Sequence, residues 1–96
     1  MTRIEFWPDY GPGPLWDDGG RAVDLDGLGL APGLVERIRS WHARYEEDRI
    51  PAEGPGDPVW LAEGRELLAE IRAALPDFTV VVDEPWWDEP PKQAAQ

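Results

Sequence analysis

The chain has 96 residues with a net charge of -11, from 20 acids against 9 bases, and that length makes one domain, since two smaller pieces would each bury too little apolar surface to fold unaided. Cysteine is absent, which excludes a disulfide framework, thiol chemistry and a cysteine-based zinc site. The eight arginines are dispersed among acids and Lys92 is the only lysine, which argues against nucleic acid, because phosphate binding needs clustered cations; no window nears the roughly 18 apolar residues of a membrane span and the N-terminus lacks the apolar core of a signal peptide, so no membrane contact and a cytoplasmic location are expected.

In chain order, Arg3-Ile4-Glu5-Phe6-Trp7 alternates, with Ile4 and Phe6 on one face and Glu5 on the other, and Pro8 closes this first strand. Asp9 to Pro14 is loop, and Gly11-Pro12-Gly13 has no helix behind it to cradle a phosphate, so it is a rigid turn. Leu15-Trp16, the turn Asp17-Asp18-Gly19-Gly20 and Arg21-Ala22-Val23 form a small hairpin. From Pro32 the apolar period changes: Leu34, Ile38, Trp41 and Tyr45, flanked by Val35 and His42, predict a helix from about 32 to 47, with Pro32 in its first turn. The stretch 48–56 is a Pro- and Gly-rich connection. Asp57-Pro58 then caps and starts a second helix, whose stripe is Trp60, Gly64, Leu67, Leu68, Ile71 and Leu75 and which stops before Pro76. The β-branched run from Phe78 to Val82 is the last strand, with Phe78, Val80 and Val82 on one face. The expected fold is α+β, a small and mostly antiparallel sheet with a two-helix hairpin packed on one face. Residues 1–84 form that domain, and residues 85–96 are a Pro-rich acidic tail carrying Trp86 and Trp87.

Catalytic raw material is thin. Ser40 and His42 are the only serine and histidine, and two positions apart on a helix they point in different directions; His42 reads as a boundary residue that hydrogen-bonds locally. Acids are plentiful, but an acid–base pair needs one buried carboxyl, and runs such as Glu46-Glu47-Asp48 read as solvated. Asp24-Leu25-Asp26-Gly27 starts like a calcium loop and then fails, because Leu28 and Leu30 stand where oxygen ligands are needed. Asp24 and Asp26 therefore face solvent while the leucines anchor the approach to the first helix. No catalytic residue, cofactor or metal ion is expected, and the protein is expected not to be an enzyme.

Aromatics and acids carry more information. Of six tryptophans, Trp41 and Trp60 lie on helix stripes and belong to the core, whereas Trp7, Trp16, Trp86 and Trp87 sit at strand ends, in the hairpin and in the tail. Trp7 and Val81 fall on the sheet face opposite the helices, so that face should be partly apolar and covered by the tail, a second copy or another protein. Glu46, Glu47 and Asp48 fall at the end of the predicted first helix, where the macrodipole disfavours negative charge. Asp83, Glu84, Asp88 and Glu89 surround Trp86 and Trp87. Indoles ringed by carboxylates suit a basic protein partner: aromatics anchor, and acids steer and pair. The expected partner-binding residues are Glu46, Glu47, Asp48, Asp83, Glu84, Trp86, Trp87, Asp88 and Glu89. The alternatives are a carbohydrate-binding module using exposed tryptophan, or a homodimer or an intramolecular clasp closed by Trp7, Val81, Trp86 and Trp87.

The run Gly13-Pro14-Leu15-Trp16, followed by Asp24-Leu25 with Leu28 and Leu30 and then Leu34, Ile38, Trp41 and Tyr45, resembles a pattern of small acidic uncharacterised proteins of GC-rich bacteria. It covers about the first half of the chain, and the preference for arginine over lysine, with much Gly, Pro and Ala, fits GC-rich coding. Such proteins are similar in size and charge to immunity proteins, which block cationic toxins made by the same or neighbouring cells. The resemblance suggests a family but implies no known activity; the leading expectation is a non-enzymatic protein-binding module, an immunity or inhibitor protein for a basic partner. Ala31 departs from the Ser or Thr expected before Pro32, so that helix start should be looser.

Overall fold

A computed structural model describes residues 2–51, 54–84 and 87. Strand β1 (Thr2–Phe6) lies at the centre of a three-stranded mixed sheet of order β2-β1-β3, with β2 (Leu15–Trp16) on one side and β3 (Phe78–Val81) on the other. β1 pairs antiparallel with β2, placing Phe6 opposite Leu15, and parallel with β3, placing Ile4 opposite Val80. An antiparallel bridge between Trp16 and Ala22 completes the predicted hairpin, so two of the three pairings are antiparallel. The parallel pairing follows from the connection: α1 (Pro32–Ala43) and α2 (Pro58–Ala74) carry the chain back to the level at which β1 begins, where Phe78 meets Thr2. The α+β architecture with its helix pair is as the sequence predicts.

The core lies between the sheet and the helices. Ile4, Phe6, Leu15 and Val80 face Leu34, Val35, Ile38 and Trp41 of α1 and Trp60, Leu61, Leu67, Leu68 and Ile71 of α2, and all are buried. At its centre the Trp41 and Trp60 indoles stack at 4.3 Å and 7°. Each ring N–H donates to the other residue's carbonyl, Trp41 Nε1 to Trp60 O at 2.8 Å and Trp60 Nε1 to Trp41 O at 3.0 Å. The two largest core side chains are thereby satisfied in polarity as well as packed, which buried indoles require. Phe6 stacks on the free face of Trp41 at 5.4 Å.

Helix boundaries follow local chemistry at three of four ends. Asp57 caps α2, its Oδ1 accepting from the N–H groups of Val59 and Trp60 while Oδ2 accepts from Arg49 at 2.7 Å. Leu75 ends α2 before Pro76, and Ala31 gives α1 no side-chain cap, as its chemistry requires. The fourth end corrects the sequence reading: α1 stops at Ala43, not near residue 47. Arg44 and Tyr45 tighten onto the Trp41 and His42 carbonyls, and Glu46 is extended. Tyr45 leaves the helix stripe to pack against Trp60 at 6.0 Å and Tyr10 at 4.8 Å. Glu47 and Asp48 then open a separate 3-10 turn, Glu47–Arg49, so they escape the unfavourable α1 terminus on which the sequence reading placed them. The flanking strands are also one residue shorter at their C-terminal ends than predicted.

The sheet's second face is also corrected. Trp7 and Trp16 cover each other, stacked at 4.1 Å and 8°, with the Trp16 ring N–H donating to the Trp7 carbonyl at 2.8 Å. Gly13 makes room for them, since a Cβ there would lie 2.8 Å from Trp16 Cζ2, and its φ of 118° suits glycine alone. Beside them that face carries Arg3, Glu5 and Asp18 in ion pairs and the half-buried Val81, so of the apolar surface expected there the Trp7 indole is covered within the chain. The outer edge of β3 is guarded as well: Arg72 reaches over from α2 and donates to the Val80 carbonyl from Nε at 3.0 Å and Nη2 at 2.7 Å. Among the described residues no helix is long and apolar enough to cross a membrane.

Candidate partner-binding face

The arginines sort the acids into two sets. Arg37 pairs with Glu70, Arg44 with Glu63, Arg39 with Asp26, Arg49 with Asp57, and Arg3 with Glu5 and Asp18. Arg37–Glu70 joins α1 to α2 across the helix surface, and Arg44–Glu63 ties the residue that ends α1 to α2. Asp17 and Asp24 serve turns, accepting from the backbone of Gly19, Arg21 and Asp26; Asp24 and Asp26 face solvent while Leu25 and Leu30 are buried, as the failed calcium pattern implied. Among the described residues the structure forms no group of acids or histidine suited to hold a metal ion.

Of the remaining acids, Asp9, Glu46, Glu47 and Asp48 gather around Tyr10 and Tyr45. Asp9, Glu47, Asp48, Asp83 and Glu84 form no ion pair among the described residues, and neither do the scattered Glu36, Glu66 and Asp77. Tyr45 marks the centre of the group. Burial, then Tyr10 and the carboxylates of Asp9, Glu47 and Glu84, push its phenol above the ordinary tyrosine value, so three segments distant in sequence act on one hydroxyl. Tyr10 ties two of them together: its hydroxyl accepts from the Glu47 N–H at 3.1 Å and donates to Glu46 Oε2 at 3.3 Å, while its ring meets Tyr45 edge-on. A cavity of about 570 Å³ opens beside Tyr45, lined by Glu47, Asp48, Ile50 and Gly54 to Gly56. A second, of about 330 Å³, lies on the side of Asp9, Tyr10 and His42.

Of the residues predicted to bind a partner, Glu46, Glu47, Asp48 and Asp83 are exposed, and Glu84 and Trp87 are half-buried. Glu46 and Glu47 are brought together at the Tyr10 hydroxyl, whose ring packs on Tyr45. Trp87 packs on the helix side of the sheet, edge-on to Phe6 at 5.8 Å. Trp86, Asp88 and Glu89 lie outside the described residues. The sequence reading missed Asp9, Tyr10 and Tyr45. Two signals were available: Tyr10 stands beside Asp9 in a Gly-Pro turn, where a large ring has no core to fill, and Tyr45 immediately precedes three acids. Tyr10 is 52% exposed, one of two large exposed hydrophobic residues among those described, with Val59.

His42 holds this end in place. Its Nε2 accepts from the Asp9 N–H at 3.4 Å, a contact across 33 residues and not the local bond the sequence implied. Burial lowers its pKa, outweighing the raising effect of Asp9. A histidine with a depressed folded-state pKa resists a proton that the unfolded chain accepts, so stability is expected to be full above the ordinary value of about 6.5 and to decline as pH falls through it. Denaturant midpoints at pH 7.5 and 5.5 check this: His42→Asn should lose the component of the decline that belongs to the imidazole, and an unchanged decline would assign it to the carboxylates.

A family model described as Serratia CdiI immunity protein-like matches residues 2–85 of the chain. No curated protein matches it.

Proposed function

We propose, since the chain belongs to the Serratia CdiI immunity protein-like family, that it is a non-enzymatic inhibitor that binds and neutralises a basic protein toxin. The observation that carries the basic partner is the gathering of unpaired carboxylates from three segments around Tyr45. Among the described residues the other acids are paired with arginine, committed to a turn or isolated. The field is therefore local, and a local negative field over exposed aromatic surface steers a cationic surface into one orientation. Glu46, Glu47, Asp48, Asp83 and Glu84 meet the partner's Arg and Lys side chains, and Tyr10 supplies aromatic contact area.

The carbohydrate reading needs an exposed indole face. The described tryptophans are buried or half-buried, so that reading has less to rest on than the acidic face has.

The test is capture of partners on the purified chain at low salt, elution with rising salt, and expression of the recovered protein in cells. The expected result is a basic protein held in equal stoichiometry that arrests growth when expressed alone and is harmless when this chain is co-expressed. Recovery of only the protein's own copies, or of a protein without toxicity, would overturn the proposal.

A further inference from the structure

The cavities near Tyr10, Tyr45 and the start of α2 differ in the charge of their linings. The one of about 330 Å³ places Arg39 and His42 beside Asp9. Another, of about 480 Å³, has Glu46 and Asp48 but also Arg49, which is paired with Asp57 at 2.7 Å. The cavity of about 570 Å³ beside Tyr45 has two carboxylates, Glu47 and Asp48, and no base among the described residues that line it. Neither carboxylate forms an ion pair among the described residues. The rest of the lining is the Tyr45 ring, Ile50, and Pro55 between two glycines. These walls are held in place. The Arg49 N–H donates to the Glu46 carbonyl at 2.9 Å and closes the turn that carries Glu47 and Asp48, and the Asp57 N–H donates to the Arg49 carbonyl at 2.8 Å and closes the loop from its other end. Gly56 permits that closure, with a φ of 72° and a backbone so near that a Cβ would lie 2.8 Å from Arg49 O. The Tyr45 ring is packed by Trp60 and Tyr10, and Ile50 packs against the core. The cavity is therefore preformed, with two uncompensated negative charges on an aromatic and aliphatic surface.

We infer that this cavity seats one arginine side chain of the partner, its guanidinium against the Tyr45 ring and paired with Glu47 and Asp48, its methylene stem along Ile50 and Pro55. This deepens the reading of a basic partner given above and rests on it. Each part of the lining selects one part of that side chain. Aliphatic walls take the stem, which arginine and lysine bury while the charged head keeps polar company. The aromatic ring attracts a cation. A planar guanidinium stacks on such a ring and forks to carboxylates, whereas the lysine ammonium is a compact and strongly hydrated point charge that does neither as well. A neutral side chain would shield the two carboxylates from water without replacing the counter-charge, so the lining discriminates against it. Glu47 and Asp48 thus have two duties, steering the partner from a distance and holding the cation once it is seated.

The first half of the test needs no partner. Nα-acetyl-arginine amide is titrated into the full chain at low salt and followed by backbone and tyrosine-ring NMR. Saturable shifts are expected at Tyr45, Glu47, Asp48, Ile50 and Gly56, with an affinity about tenfold above that of the neutral isostere Nα-acetyl-citrulline amide and also above that of Nα-acetyl-lysine amide. The double variant Glu47→Gln/Asp48→Asn should lose about tenfold in affinity for the arginine probe. Glu36→Gln/Glu66→Gln, which removes the same charge elsewhere on the surface, should leave that affinity unchanged. Shifts spread over the acidic surface with none that saturate at the cavity overturn the inference. Equal binding of the citrulline probe, lysine binding as tight as arginine, or equal losses in the two double variants do so as well. With the captured partner, Glu47→Gln/Asp48→Asn should speed dissociation about tenfold, because a seated guanidinium loses its counter-charges; slower association with unchanged dissociation would make the two acids steering groups only and overturn the seat. Failure to capture any partner would defeat the inhibitor reading alone, and the titration would still decide what the cavity takes.

Discussion

Replacing Gly64 with alanine is expected to destabilise the fold by about 2 kcal/mol, although the same change in an exposed helix is favourable. The missing Cβ lies where the Trp41 indole passes: a methyl group there would come within 2.5 Å of Cζ2 and 2.9 Å of Cε2. Trp41 cannot give way. It is fully buried, its ring is stacked on Trp60 at 4.3 Å on one side and on Phe6 at 5.4 Å on the other, and its ring N–H is bonded to the Trp60 carbonyl. The intrinsic helix advantage of alanine, about 1 kcal/mol, is therefore outweighed by overpacking, which in well-filled cores costs about 1–3 kcal/mol or more. A net loss near 2 kcal/mol would lower the melting temperature of a chain this size by about 8–16 °C. Gly33, in the first turn of α1, meets nothing within 4 Å, and Gly33→Ala should leave the melting temperature unchanged or raise it slightly. Calorimetry on the two variants separates the effects. A Gly64→Ala chain as stable as the wild type would mean that the indole does not cross that helix as described.

Neutralising the acidic face is the second large effect expected. The quadruple change Glu46→Gln, Glu47→Gln, Asp48→Asn and Glu84→Gln should slow association with the partner by about 10- to 100-fold at low salt. The rates of variant and wild type should converge as ionic strength approaches about 1 M, where the Debye length falls to about 3 Å. The fold should survive, because none of the four carboxylates forms an ion pair among the described residues and only Glu46 makes a hydrogen bond, to the Tyr10 hydroxyl. Relief of mutual repulsion should leave thermal stability equal or higher at low salt, a control that needs no partner. Rapid-mixing kinetics across a salt series measures the association effect. An association rate unaffected by all four changes would place the interface elsewhere, with Glu36, Glu66 and Asp77 the next acids to test.

The elements of this protein are written largely in local sequence. Asp57-Pro58 starts α2 because a carboxylate can cap the free N–H groups of the first turn and proline has none to lose. The period of Trp60, Gly64, Leu67, Leu68 and Ile71 then faces one core, and the alternation through Ile4 and Phe6 and the β-branched run to Val81 build the strands beside it. Composition sets the sign of the surface in the same way, since 20 acids against 9 bases leave a negative field on any compact fold.

What only the tertiary structure decided is where that charge and those aromatics go. The end of α1 was misread because the stripe from Leu34 to Trp41 continues in register to Tyr45, and nothing in a one-dimensional pattern shows that Tyr10 and Trp60 draw the Tyr45 ring out of the helix. For Trp7 and Trp16 the sequence left open whether the indoles clasp or stay exposed, and hairpin closure stacks one on the other. The Tyr10 hydroxyl meets Glu46 and the Glu47 N–H, 36 and 37 positions away along the chain, so no local window contains that contact. Periodicity and capping act over a turn or two of backbone and are legible in sequence. The pairing of arginines with some carboxylates and not with others depends on distances set by packing, and that selection is what leaves one end of the molecule charged.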